Sequence, residues 1–282
     1  MRNYTMNELQ KTELEILRAF IGVCDKLDLH YYLVCGSALG AVKYGGFIPW
    51  DDDIDVALLR GDYDVFVREA QALLPEYCFV QNYRSDPGFP AFYCKIRDSR
   101  TTYIEKSMQH RRMNHGVYID VFPLDGYPED IKEANHLERR KRILKRRLDC
   151  ANAFQKGQKP LTRAYFILER ILGCHRRSAK YAQELDRLVA SYSADSSSRW
   201  CNHGNWQGAL EYAPREQYGD GIILVFEDLT VRVPKEYEAY LTQKYGDWRA
   251  DLPEEEKFGH HYTTVCDTNR PYTDYCGYKK LR

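Results

Sequence analysis

Apolar residues recur at Leu14, Leu17, Ile21 and Cys24 among charged neighbours, the spacing of one helix face, and predict an amphipathic helix over about residues 7–27. Residues 31–35 are a short apolar run that reads as a buried strand. Gly36 ends it, and Ser37 stands where it can cap a helix over 38–44, which Gly45-Gly46 stops. Residues 53–58 begin with strand alternation and lead into a helix over 62–74. Further strands are expected at 78–81, 91–97 and 116–122, with Pro87, Gly88 and Pro90 marking a loop. From 131 to about 188 the pattern is helical and strongly basic, with a turn-rich break only at 157–160. The last third mixes strands at 222–226 and 230–233 with a helix over 235–245 opened by Pro234. This order predicts an α/β (α+β) fold, a mixed sheet flanked by helices. It divides into a core at 1–130, a basic helical segment at 131–190 and an α/β part at 191–282 that completes the core.

Composition narrows the classes. Of 282 residues, 44% are hydrophobic and 29% charged, enough to bury a proper core. Lys+Arg and Asp+Glu both number 41, so no global field draws the chain to anions, and no nucleic-acid partner is expected. No apolar stretch approaches the roughly 20 residues of a membrane span. Glu8, Glu13, Glu15 and Arg18 in the first 28 residues do not fit a signal peptide. Nine scattered cysteines, several inside apolar runs (Cys24, Cys35, Cys94), point to reduced thiols in a cytoplasmic protein. Cys201 and His203 with the distant Cys266 and Cys276 match no structural zinc spacing.

The run Trp50-Asp51-Asp52-Asp53-Ile54-Asp55-Val56 carries the most chemistry. On a strand, Asp53 and Asp55 share one face while Ile54 and Val56 pack inward. Two such carboxylates about 4 Å apart repel by roughly 1 kcal/mol in water and about 4 near a protein surface, which a bound cation relieves. An all-oxygen ligand set selects Mg²⁺ or Mn²⁺. A solvated acidic loop is the commoner source of adjacent Asp residues, but Ile54 and the apolar residues 56–59 do not suit one. A calcium loop of the EF type fails because Val56 and Asp62 stand where it needs Gly and Glu. Gly36-Ser37 at a strand-to-helix turn is a place where backbone N–H groups bind phosphate, although Gly-Ser at a turn is more often punctuation. Asp120, alone in the apolar strand 116–122, needs a partner. The Asp53–Asp55 pair would supply one, making Asp120 a third metal carboxylate and a candidate base; backbone donors at a strand end are the alternative.

With those residues in place, the run Tyr32-Leu33-Val34-Cys35-Gly36-Ser37-Ala38-Leu39-Gly40-Ala41-Val42, followed by Gly46-Phe47-Ile48-Pro49-Trp50 and the acidic run, resembles the LicD family of phosphotransferases. Lys95-Ile96-Arg97 with Thr101-Thr102, Ile119-Asp120-Val121-Phe122-Pro123-Leu124-Asp125, and Val233-Pro234 through Tyr245-Gly246-Asp247-Trp248 agree with it, so the resemblance spans residues 10–262. Pro253 and Lys257 stand before His260-His261, where the family often has Pro and Arg before a His.

The resemblance implies a nucleotidyltransferase-type core that transfers phosphocholine, or in relatives ribitol phosphate, from a CDP-linked donor to a glycan. In that reading Asp53, Asp55 and Asp120 hold metal. Gly36 and Ser37 cradle a donor phosphate, and Lys95 or Arg97 offsets transition-state charge unless both are ordinary strand charges. CDP-choline is then the expected donor and a glycan, free or lipid-linked, the acceptor. A true nucleotidyltransferase and a non-catalytic nucleotide- or metal-binding module remain the alternatives. Finally, Arg139, Arg140, Lys141, Arg142, Lys145, Arg146 and Arg147 lie within nine residues and are followed by Phe154, Tyr165, Phe166, Ile167, Ile171 and Leu172. That is either a solvated helix facing acids such as Glu133 and Glu138 or a peripheral contact with the anionic inner membrane face.

Overall fold

A capping box starts the first helix, α1 (Glu8–Leu27): Gln10 N–H donates to the Asn7 side chain at 2.9 Å, and Asn7 N–H to the Gln10 side chain at 3.2 Å. Its apolar stripe, including Leu14, Leu17, Phe20 and Cys24, is buried. The computed structural model describes residues 4–149, 177–205, 208–259 and 261–276, with single positions 161, 164, 167, 168 and 171.

Next come β1 (Tyr31–Leu33), α2 (Cys35–Leu39) and a wider helical turn over Gly40–Tyr44, then β2 (Asp55–Leu59), α3 (Arg60–Leu73), β3 (Cys78–Gln81), β4 (Cys94–Asp98), β5 (Thr102–Glu105) and β6 (Val117–Gly126). The helices α4 (Ile131–Asp149) and α5 (Ser178–Ala190) follow, then β7 (Arg199–Asn202), β8 (Tyr212–Pro214), α6 (Arg215–Tyr218), β9 (Ile222–Phe226), β10 (Leu229–Val233), α7 (Tyr237–Tyr245), β11 (Thr263–Asp267) and α8 (Tyr272–Tyr275). The fold is mixed α+β.

The main sheet has the order β1-β2-β6-β4-β3, with β7 added to β6 and β8 to β7. β2 and β6 run parallel, and the other pairs are antiparallel. All ten residues of β6 are buried, which explains its nearly unbroken apolar sequence. The strand runs past its expected end, through Pro123 to Gly126. α1 and α3 share a core with the sheet, where the Phe20 and Phe66 rings meet at 5.2 Å, tilted by 57°. A second core holds α4 and α5 together through Leu137, Leu144, Leu148 and Leu185, and it reaches back to Phe92 beside β4.

Two expectations around the acidic run are corrected. α2 begins at Cys35 with Val34 at its N-cap, so Ser37 lies inside the helix and does not cap it. β2 begins only at Asp55, so Asp53 arrives from the preceding loop and not from the strand.

The basic segment resolves into roles. Lys141 is buried and donates to Glu138 at 2.8 Å, and Lys145 donates to Asp149 at 3.2 Å. Arg139, Arg140, Arg142 and Arg146 are exposed, as is Ile143. Ile167 and Ile171 are exposed, whereas the break at 157–160 and Phe154, Tyr165, Phe166 and Leu172 lie outside the described residues.

Candidate functional site

Register alone brings the first two carboxylates together, because Asp55 on β2 lies opposite Asp120 on parallel β6. Same-face side chains of paired strands are neighbours. Asp120 N–H donates to the Ile54 carbonyl at 2.8 Å, which fixes the loop carrying Asp53 against β6. Asp53, Asp55 and Asp120 each offer an oxygen within 4.8 Å of the others.

This placement works against their ionisation. Burial, then Asp53 and Asp120, pushes the Asp55 carboxyl well above its usual range. Burial also raises Asp53, to about 6, with His261 opposing and Asp120 adding. Asp120 is raised by burial and partly relieved by Lys95. Lys95 Nζ lies 3.1 Å from Asp120 Oδ1 but donates to Oδ2 at 3.3 Å, so the buried Oδ1 receives no hydrogen bond. A buried acceptor without a donor, inside three crowded carboxylates, fits a hard divalent cation. Cys201 and His203 sit 3.4 Å apart, but among the described residues the groups spaced to share a metal ion are Asp53, Asp55 and Asp120 and a second set, Asp52, Asp53 and His261.

His261 comes from the C-terminal part. β11 pairs with β5 and draws the preceding segment across the acidic loop. His261 N–H donates to Asp52 at 3.1 Å, its Nδ1 lies 3.2 Å from the same carboxylate, and its Nε2 lies 3.9 Å from Asp53. Burial opposes protonation, but the Asp52 hydrogen bond and Asp53 outweigh it and hold the imidazole up at about 9. The folded pKa is therefore above the ordinary imidazole value, so this pairing adds stability that is complete below about pH 6.5 and lost as pH rises through the folded value. His261→Ala should lower the unfolding temperature at about pH 6 and have little effect near about pH 10, read by calorimetry in chelator. An equal loss at both would show that the charge pairing contributes nothing. His260 lies outside the described residues.

The other expected residues separate. Gly36 is needed for Asp51 rather than left open: a Cβ there would meet Asp51 Oδ2 at 2.8 Å. Ser37 Oγ accepts the Asp55 N–H at 2.8 Å and so holds the start of β2. Lys95 is at the carboxylates, with Nζ 3.3 Å from the centre of the Tyr118 ring. Arg97 is fully buried and donates to Gln81 and, at 2.7 Å, to the Gly116 carbonyl, so its hydrogen bonds hold the sheet and not the acidic trio. The sequence names neither Asp52 nor Glu105 as a site residue, and Glu105 carries no distinguishing signal; His261 it marks only through the His that the family often has there, with no role attached.

Residues 28–150 match the family described as LicD/FKTN/FKRP, nucleotidyltransferase domain, and they include Asp53, Asp55, Lys95 and Asp120. The chain is 29% identical over 269 residues, 93% of its length and 97% of the other, to the lipopolysaccharide cholinephosphotransferase LicD of Haemophilus influenzae. It is 27% identical over 105 residues to an uncharacterised protein of Rickettsia prowazekii, covering 37% of this chain and 35% of that one. Over 48 residues it is 40% identical to the ribitol 5-phosphate transferase FKRP of Homo sapiens, covering 17% of this chain and 10% of that one. Residues 28–150 are thus a LicD-family domain, and the chain that carries it is an enzyme of the LicD phosphotransferase type.

Proposed function

We propose that this enzyme transfers a phosphorylated alcohol, phosphocholine foremost, from a CDP-linked donor to a hydroxyl of a cell-surface glycan or its precursor, and releases CMP. The observation that carries the reading is the meeting of Asp53, Asp55 and Asp120 within 4.8 Å, in a chain similar almost end to end to a cholinephosphotransferase. Mg²⁺ or Mn²⁺ held by those three residues would neutralise charge on the donor diphosphate and on the departing phosphate.

The chain's own residues supply the rest. An acceptor hydroxyl oxygen attacks the distal phosphorus in line; the new O–P bond forms as the bond to the CMP oxygen breaks. Asp120 takes the hydroxyl proton on its carboxylate, which Lys95 helps to keep ionised. The second set, Asp52 and His261, holds the acidic loop and Asp53 in place.

Similarity to a ribitol 5-phosphate transferase supports a polyol phosphate as the second reading of the transferred group. Incubation with CDP-choline, CDP-ribitol or CDP-glycerol, Mg²⁺ and candidate glycans separates the readings by CMP release and by mass of the product. A product heavier by phosphocholine supports the first. One heavier by a nucleoside monophosphate would make the enzyme a nucleotidyltransferase.

The exposed Arg139, Arg142, Ile143 and Arg146 lie three or four residues apart and so share one face of α4. No helix among the described residues is long and apolar enough to cross a membrane. We read this face as a peripheral contact with anionic lipid, each basic residue worth about 1 kcal/mol at the surface. Vesicle sedimentation should show binding that rises with anionic lipid and falls with salt. No binding at low salt would end this reading.

A further inference from the structure

Immediately before β4, the segment Phe89-Pro90-Ala91-Phe92-Tyr93 places three aromatic rings beside the acidic trio. Tyr93 stands edge-on to both others: its ring lies 6.1 Å from Phe89 at 88° and 6.0 Å from Phe92 at 82°. Tyr93, with the small uncovered parts of the otherwise buried Phe89 and Phe92, lines one side of a cleft of about 190 Å³, whose other lining includes Glu105, Asp120, Lys95 and His261, with Lys145 and Asp149 arriving from α4. Each lining cation already has a carboxylate: Lys95 has Asp120, Lys145 has Asp149, and His261 has Asp52. Glu105 is different. Among the described residues no hydrogen bond or ion pair reaches its carboxylate. Burial works against its charge, but Lys95, Arg97 and His261 hold the carboxyl below its usual range, so it is ionised.

Aromatic rings and an unpaired carboxylate lining one cleft suit a cation that cannot donate hydrogen bonds. An ammonium or guanidinium would leave its N–H groups unmatched against the ring faces, whereas a quaternary ammonium has none and gains from every face it touches. Polyol hydroxyls would meet the rings and, apart from Glu105, only charged groups that are already paired: Lys95 with Asp120, Lys145 with Asp149 and His261 with Asp52. Asp120 lines the same cleft, so a head group seated there lies next to the residue assigned to the acceptor hydroxyl.

We propose that Phe89, Phe92, Tyr93 and Glu105 form the subsite for a trimethylammonium head group and so select a choline-type donor over a polyol-type one. This rests on the phosphotransfer reading above and deepens it. The cage is carried by the loop before β4 and backed from outside: Phe92 belongs to the core shared by α4 and α5, and Tyr93 packs on Phe122 at 4.6 Å. Helix α4, whose outer face carries the exposed arginines, therefore also forms one wall of the cleft.

Two measurements test the subsite. The first uses tetramethylammonium alone, followed by chemical-shift or calorimetric titration of the wild-type chain, Glu105→Gln and Tyr93→Leu. Saturable binding that weakens about ten- to thirty-fold in either variant is expected. Glu105→Gln is nearly isosteric and guards against a folding failure in Tyr93→Leu. No binding to the wild type, or equal binding to all three, overturns the proposal whatever the donor proves to be. The second compares CDP-choline with the CDP ester of 3,3-dimethylbutanol, a neutral isostere of choline. The wild type should prefer choline, and Glu105→Gln should lose that preference. If CDP-choline is not a donor but tetramethylammonium binds as described, the subsite stands and the choline reading of the overall reaction falls. If CDP-choline is used and its neutral isostere serves equally well, the reaction stands and the subsite is overturned.

Discussion

Asp55→Asn should reduce transfer by about a thousand-fold or more while the protein stays folded. The carboxylate lost is one of three that meet at the face of β2 and β6. Charge stabilisation by a correctly held divalent ion is worth several kcal/mol, and each 1.36 kcal/mol is a factor of about ten in rate. Stability should move the other way. Burial and the neighbouring Asp53 and Asp120 raise the Asp55 carboxyl in the folded chain, and Asp53 sits at about 6. A carboxyl raised on folding favours the folded state below its unfolded value of about 3.9, and that advantage disappears as pH climbs through the folded value. In chelator, therefore, the wild type should lose stability relative to Asp55→Asn between about pH 5 and about pH 7.5. Adding Mg²⁺ should reverse the order by stabilising only the wild type. Paired activity assays and melting curves at the two pH values read this. Full transfer by the variant, or by the wild type in excess chelator, removes the metal assignment.

Much of that trio was legible because its surroundings are so apolar. Ile54, Val56 and the residues around Asp120 announce core strands, and a charge in a core strand needs a reason. What the residues could not convey was that Asp53 would reach the trio from a loop. The alternation Asp53-Ile54-Asp55-Val56 suits a strand, but β1 is only three residues long and pairs with β2 at Val56 to Leu58 alone, and the parallel ladder to β6 begins at Asp55. Ser37 shows how a local preference yields to tertiary contact. Its hydroxyl, well suited to a cap, accepts the Asp55 N–H instead, and the helix starts three residues earlier than the cap would place it. Cys35 begins that helix at φ +52°, an uncommon conformation for a side-chain-bearing residue and one that no sequence pattern marks.

His261 was the hardest residue to place. It lies 208 positions from Asp53 and reaches it only because β11 pairs with β5. Neither strand was read from the pattern, being four and five residues long with β11 largely exposed. The signal that was present is the run Thr101-Thr102-Tyr103-Ile104, β-branched and aromatic, next to the turn-forming Asp98-Ser99. Reading it as a strand still would not have named its partner, because pairing across such a separation depends on the whole fold. The cage has the same character. Three aromatics within five residues look like core, and Phe89 and Phe92 are buried as core is; only the cleft they share with Glu105 gives them another use.

Asp120→Asn should lower turnover by about 10²- to 10⁴-fold, the usual range for loss of a positioned base, with donor affinity much less affected. The reason is geometric: Asp120 is the most buried of the three carboxylates and its Oδ1 has no hydrogen-bond donor. Asn keeps the shape but cannot take a proton. Lys95 gives a second, independent handle on the same residue. Its ammonium is nearly buried, lies 3.1 Å from Asp120, and offsets the burial that raises the Asp120 carboxyl. Lys95→Met removes that offset, so the carboxyl rises further and is ionised only at higher pH. If the ionised form is the base, the acidic limb of the kcat/KM profile must move to higher pH in Lys95→Met, and activity should recover as pH is raised. A residue that served only to hold the sheet would lower activity equally at every pH. An unshifted acidic limb, together with normal turnover in Asp120→Asn, would return Asp120 to a structural role and leave the proton to another acceptor. A shifted limb with a large loss in Asp120→Asn ties the proton to this carboxylate.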